Sequence, residues 1–102
     1  MRVIARKTLR DFWERGPQFA DSKGPLEAWF AEAVAAQWRT PMEVKDQFKN
    51  ASILKSGRVV FNIGGNKYRL VVAIHYRAEP GIVFVRFIGT HAEYDEIDAE
   101  TC

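Results

Sequence analysis

Three runs in which apolar and polar residues alternate fill the second half of the chain: Arg58 to Ile63, Tyr68 to about Arg77, and Ile82 to Ile88. A period of two sends successive side chains to opposite faces, so each run predicts a strand with one buried and one open face. Gly64-Gly65-Asn66-Lys67 separates the first two runs and Ala78-Glu79-Pro80-Gly81 the last two. Both are turn sequences, and the short connections predict an antiparallel meander. A sheet of this kind needs a second layer over its apolar face.

The first half supplies that layer. Val3 and Ile4 read as a short opening strand. Thr8, with Asp11 three residues on, predicts a helix start, and Gly16-Pro17 stops that helix. A longer helix is expected between Asp21 and Gln37, where Leu26, Trp29, Phe30, Ala33, Val34 and Gln37 follow the i, i+3, i+4 rhythm of a buried stripe. Thr40-Pro41-Met42-Glu43 is a capping box with proline at the first helical position, and predicts a third helix through Phe48. The expected class is α+β, with N-terminal helices on one face of an antiparallel sheet. The 102 residues fit one domain, residues 1–102, with a core large enough to need no metal or disulfide.

Hairpin register sorts the faces. A two-residue turn at Gly65-Asn66 sets Asn62 opposite Arg69, Val60 opposite Val71 and Arg58 opposite Ala73. A four-residue second loop sets Arg77 opposite Ile82, His75 opposite Phe84, Ala73 opposite Arg86 and Arg69 opposite Thr90. One face then collects Val59, Phe61, Ile63, Tyr68, Leu70, Val72, Ile74, Tyr76, Val83, Val85 and Phe87 for the helices to cover. The other face collects Arg58, Asn62, Arg69, His75, Arg77 and Arg86, an open basic floor.

Charge points the same way. The formal charge is only +2, but Glu93, Asp95, Glu96, Asp98 and Glu100 follow the last Lys or Arg. Residues 1–92 therefore hold fifteen basic against eight acidic side chains, a charge of +7. An excess of this size suits a polyanionic partner, although it also serves solubility. The acidic tail is expected to stay solvated and off the arginine floor. No apolar run approaches the roughly 18 residues of a membrane span, and the basic start lacks the apolar stretch of a secretory signal. The single cysteine, Cys102, closes no internal disulfide, which suits a reducing cytoplasm.

Chemistry concentrates in Phe87-Ile88-Gly89-Thr90-His91-Ala92-Glu93-Tyr94-Asp95. Thr90 and Glu93 form a second capping box, so a short C-terminal helix starts as the last strand ends. His91 and Tyr94 then share one side of its first turn, at the rim of the floor. This grouping suits cleavage of RNA by attack of a 2′-hydroxyl on the adjacent phosphate. His91 supplies an imidazole, the side chain best suited to act as base or acid in such a step. Arg69 and Arg86 would hold the nonbridging oxygens where charge grows. Tyr94 would donate a proton or stack on a base; it equally suits a core anchor. Arg58, Lys55, Lys49 and Lys67 are candidate RNA contacts. His75, mid-strand, joins them on the basic face, with a structural role as the alternative. No metal-ligand cluster and no cofactor motif is present.

The segments Val59-Val60-Phe61-Asn62-Ile63-Gly64-Gly65-Asn66-Lys67-Tyr68-Arg69-Leu70 and Phe84-Val85-Arg86-Phe87-Ile88-Gly89-Thr90-His91-Ala92-Glu93-Tyr94-Asp95 resemble the HigB toxins, a branch of the RelE/ParE-like toxins of type II toxin–antitoxin pairs. The resemblance covers nearly the whole chain. It implies a small α+β toxin that cleaves mRNA on the translating ribosome. The implied partner is a HigA-type antitoxin with a helix-turn-helix fold, and operator DNA is reached only through the complex with it. Carried over by position, the motif arginines are Arg69 and Arg86, and the acid/base pair is His91 with Tyr94. Lys55 and Lys67 carry over as RNA or phosphate contacts. Two alternatives remain: a non-enzymatic toxin that blocks a protein such as DNA gyrase, as ParE-like relatives do, and a plain RNA-binding module.

Overall fold

The structure, a computed structural model, describes residues Met1–Cys102. Strand β1 (Arg2–Ile4) leads straight into α1 (Arg6–Trp13), followed by a 3-10 helix (Pro17–Ser22), α2 (Lys23–Ala35) and α3 (Pro41–Gln47). Then come β2 (Ser52–Ile53), β3 (Arg58–Ile63), β4 (Tyr68–His75), β5 (Ile82–Thr90) and α4 (His91–Tyr94). The five strands form one sheet in the order β1-β5-β4-β3-β2. The expected α+β class holds, but the sheet is mixed, because β1 joins its edge parallel to β5.

Helix α1 buries Leu9, Phe12 and Trp13 and closes an exposed Lys7–Asp11 pair at 2.7 Å on its outer side. It begins after Ala5, not at Thr8, and has no side-chain cap. The chain leaves β1 so close by that the helix must start at once. Gly16-Pro17 ends the helical path as expected, yet Pro17 opens a 3-10 turn, in which buried Ser22 donates Oγ–H to the Phe19 carbonyl at 2.7 Å. Helix α2 buries Leu26, Trp29 and Ala33, while Val34 is 48% exposed. The Thr40 capping box forms as predicted, with the Glu43 N–H donating to Thr40 Oγ1 at 3.3 Å and the Thr40 N–H to Glu43 Oε1 at 3.0 Å.

The centre of the helix–sheet interface is Phe61. Its ring meets Trp29 at 5.4 Å, Phe48 at 5.0 Å and Trp38 at 6.5 Å between centroids. The Trp29 and Phe48 contacts are edge-to-face and the Trp38 contact is stacked, and aromatic pairs of either kind add about 0.5–1.5 kcal/mol each beyond area burial. Val59, Leu70, Val72 and Val83 are fully buried beside it. The turn into β3 demands Gly57, whose φ is +72° and where a Cβ would stand 3.0 Å from the Ile74 carbonyl oxygen.

The β3–β4 register is as predicted: Asn62 with Arg69, Val60 with Val71, Arg58 with Ala73. The β4–β5 register is not. His75 pairs with Ile82 and Ala73 with Phe84, because β4 ends at His75 and the connection spans six residues. A bulge then inserts Arg86 between the Val72–Val85 and Val71–Phe87 pairs, which reverses the alternation. Phe87 therefore leaves the helix-covered face where it was expected, and Ile88 turns toward that core in its place.

The other face is not an open floor. Val60 and Val71 lie on it, and the chain after Tyr94 folds back to bury them beneath Ala99, with Phe87, Tyr94, Ile97 and Cys102 around them. Arg58 donates Nη2–H to the Cys102 carbonyl at 2.8 Å. The expectation that the acidic tail stays off this face is thus overturned. The apolar residues between its acids, Ile97 and Ala99, find two valines that would otherwise face water.

Candidate functional site

Strand β5 passes into α4 without a loop: Thr90 is both the last strand residue and the helix cap. The Glu93 N–H donates to Thr90 Oγ1 at 3.1 Å, and the Thr90 N–H donates to Glu93 Oε1 at 2.9 Å, so the second capping box forms as predicted. Gly89 makes the junction possible. A Cβ there would stand 2.6 Å from Phe87 Cζ and 3.0 Å from Glu93 Oε1. Arg69 pairs with this Gly89, and Thr90 pairs with Tyr68, one step from the expected Arg69–Thr90 pairing.

The side chains at this end of the sheet are held by short-range partners. His91 is about half exposed and its Nδ1 lies 3.3 Å from Asp95 Oδ2, one helical turn on. The imidazole is thus accessible to solvent with a carboxylate beside it, a placement in which a histidine can accept or release a proton. Arg69 donates Nη1–H to the carbonyls of Asn66 at 3.0 Å and Tyr68 at 3.3 Å, which folds it over the β3–β4 turn. Tyr94 packs its half-buried ring 6.5 Å from that of Phe87. Arg86 stands apart on the bulge, exposed, with its guanidinium 5.5 Å from the Phe84 ring centre.

Arg15 is a member that sequence patterns do not reveal. Its Nη2 lies 3.1 Å from Glu93 Oε1, and its guanidinium sits 4.2 Å from the Phe19 ring centre. The Arg15 guanidinium, reinforced by the Thr90 backbone N–H, holds the Glu93 carboxyl below the usual carboxylate range. Asp95 was visible only as one of the tail acids; its i, i+4 spacing from His91 is the signal that marks it.

The remaining RNA-contact candidates divide. Lys67 forms an ion pair with Asp21, which also accepts from the buried Tyr68 hydroxyl. Lys67 and Tyr68 together lower the Asp21 carboxyl, and that carboxylate raises Lys67. Arg58 is engaged with the Cys102 carbonyl. Lys49 and Lys55 are exposed in the loops on either side of β2. His75 is exposed at the far end of β4, edge-to-face with Phe84 at 4.9 Å. No three His, Cys, Asp or Glu side chains converge closely enough to hold a metal ion, and no helix is long and apolar enough to cross a membrane.

Residues 22–97 match the HigB_toxin family, described as the RelE-like toxic component of a toxin-antitoxin system. The chain belongs to this family of RelE-like toxins. An antitoxin partner follows from that membership. No curated protein matches the sequence. The match takes in the β3–β4 turn with Arg69 and the β5–α4 junction with His91.

Proposed function

We propose that this RelE-like toxin is an endoribonuclease that cleaves mRNA on the translating ribosome in the cytoplasm, with proton transfers and charge stabilisation supplied by side chains and no metal ion. Its antitoxin would be a HigA-type helix-turn-helix protein, and the complex, not the free toxin, would reach operator DNA. The observation that carries the reading is His91, half exposed with Asp95 3.3 Å away, two residues beyond the Gly89 that pairs with Arg69.

A base removes the proton of the 2′-hydroxyl, whose oxygen attacks phosphorus. The bond to the 5′-oxygen breaks, and that oxygen takes a proton from an acid. The products are a 2′,3′-cyclic phosphate and a 5′-hydroxyl. His91 takes one of these proton roles and Tyr94 is its counterpart. Arg69 meets the nonbridging oxygens as charge accumulates, and Arg86 approaches the strand from the bulge. Lys49 and Lys55, along with Lys67 and Arg58 at their present partners, contribute positive potential along the RNA path, and His75 offers a further contact to it.

Primer extension on mRNA from cells expressing the toxin tests this. New cleavage ends should appear with the wild type and vanish with His91→Ala and with Arg69→Ala, both folded. Growth arrest that survives both changes with no new ends would overturn the reading in favour of a blocked protein target. Repeating the reaction on purified mRNA, with and without ribosomes, tests the ribosome requirement.

A further inference from the structure

The geometry points to a base-stacking subsite for single-stranded RNA at Phe84, away from His91 and flanked by Arg86 and His75. It rests on the proposal that the ligand of this toxin is RNA.

Phe84 faces the sheet side opposite the helices, since it pairs with Ala73, which pairs with Arg58. It joins neither hydrophobic cluster. The returning tail covers the β3 and β4 valines of that face and does not take up Phe84. Only partly buried, the ring has an imidazole edge-on at 4.9 Å and a guanidinium 5.5 Å from its centre. Ile4 of β1 lies beside it in register.

Cations surround this ring. Arg2 and His75 lie on either side of Ile82 in one cross-strand row, and Arg77 follows two residues after His75. All three are exposed, as is Arg86. None of Arg2, Arg77 and Arg86 lies within ion-pair distance of a carboxylate. The nearby Glu79 is the partner of Arg39, at 3.9 Å. An apolar protein surface laid on Phe84 would strip water from these charges and return no counter-charge. A nucleotide answers both needs: its base offers a π face to the ring, and its phosphates meet the guanidinium groups.

Phe84 and Thr90 are six residue steps apart along β5, so the ring stands about 20 Å along the strand from the junction that carries His91. A strand anchored at both places would be held by its backbone and by one base, which favours RNA long enough to reach over RNA too short to do so.

The test uses the full chain carrying His91→Ala, so that bound RNA is not consumed, and measures fluorescence anisotropy. Two probes of equal length are compared, a single-stranded oligoribonucleotide and an abasic strand with the same phosphates. Phe84→Leu, which keeps apolar bulk but removes the π face, should weaken binding of the base-bearing strand roughly ten-fold and leave the abasic strand unchanged. Phe84→Trp should restore the difference. Arg77→Ala should weaken both strands alike and reduce the salt slope by about one. Equal affinity of Phe84→Leu and its parent for the base-bearing strand would overturn the subsite. So would equal losses on both strands, which would make the ring a prop for Arg86. Loss of antitoxin capture with RNA affinity intact would assign the ring to the protein partner instead. The nuclease proposal fails separately, by an absence of mRNA cleavage in the wild type, and the binding comparison reads the same whether or not it does.

Discussion

Arg15, just beyond the end of α1, reaches Glu93 across 78 residues of sequence, Nη2 to Oε1 at 3.1 Å. The same oxygen accepts from the Thr90 N–H and so closes the capping box that starts α4. One carboxylate thus couples the first helix to the turn carrying His91. The position of the imidazole depends on the N-terminal half of the chain as well as on its own segment.

The coupling has a pH signature. Glu93 titrates below its ordinary range in the folded state, chiefly through Arg15, so its charge adds stability above the unfolded carboxylate value. That contribution is lost as pH falls through the depressed folded value. Glu93→Gln keeps an acceptor for the cap but has no charge to lose. Thermal melting across the acid range should show the variant less stable at neutral pH, with the gap to wild type closing as the medium becomes acidic. Asp21 is lowered in the same direction in both proteins, so the difference between their curves isolates Glu93. Parallel curves would rule the coupling out.

Tyr68 clamps the 3-10 turn to the sheet. Its side chain is 1% exposed and its hydroxyl donates to Asp21 while also approaching the Gln18 carbonyl. Tyr68→Phe retains the ring, and its edge-on contact with Phe12 at 5.3 Å, but leaves Asp21 to Lys67 alone. The expected cost is about 1–2 kcal/mol in denaturant unfolding. An unchanged midpoint would show that the phenol is not part of the clamp.

The tail is a structural element. Ala99 is 8% exposed above Val60 and Val71, so Ala99→Asp places an uncompensated carboxylate on two buried valines. Destabilisation of about 2 kcal/mol is expected, readable as a lowered urea midpoint. Asp98→Asn, whose side chain is exposed and accepts only from the Glu100 N–H at 3.0 Å, is the control and should stay close to wild type.

His91 should matter for chemistry and little for folding. His91→Gln removes the titrating group from an exposed position, so mRNA cleavage should fall by about 10²–10⁴-fold with the melting temperature nearly unchanged. Asp95→Asn, which keeps a side chain of the same size beside Nδ1 but not its charge, should give a smaller loss. Equal losses from both would make Asp95 a participant rather than an orienting group, and cleavage by His91→Gln at the wild-type rate would exclude His91.

Which parts of this were legible beforehand follows from the range of the interactions. The capping boxes at Thr40 and Thr90 are written within four residues and formed as read. The β3–β4 register is set by a short turn with positive φ at Gly64 and Gly65, and it too was readable. The β4–β5 register departs from the expected one because a six-residue connection does not dictate pairing, and because the bulge at Arg86 has no local marker. The error mattered for function: it put Arg86 opposite Ala73 and Thr90 opposite Arg69, where the structure has Phe84 and Gly89.

Local patterning alone determined the α+β class, the helical layer over one sheet face, and the strand-to-helix junction that presents His91. Those features depend on periodicity and caps, which act within a turn or two of chain. Only the tertiary structure decided that Arg15 braces Glu93, that Lys67 is spent on Asp21, and that the acidic tail lies across Val60 and Val71. Each of these joins residues far apart in sequence. Burial and charge pairing select such contacts from many chemically equivalent ones, and only the packed fold brings one partner within reach.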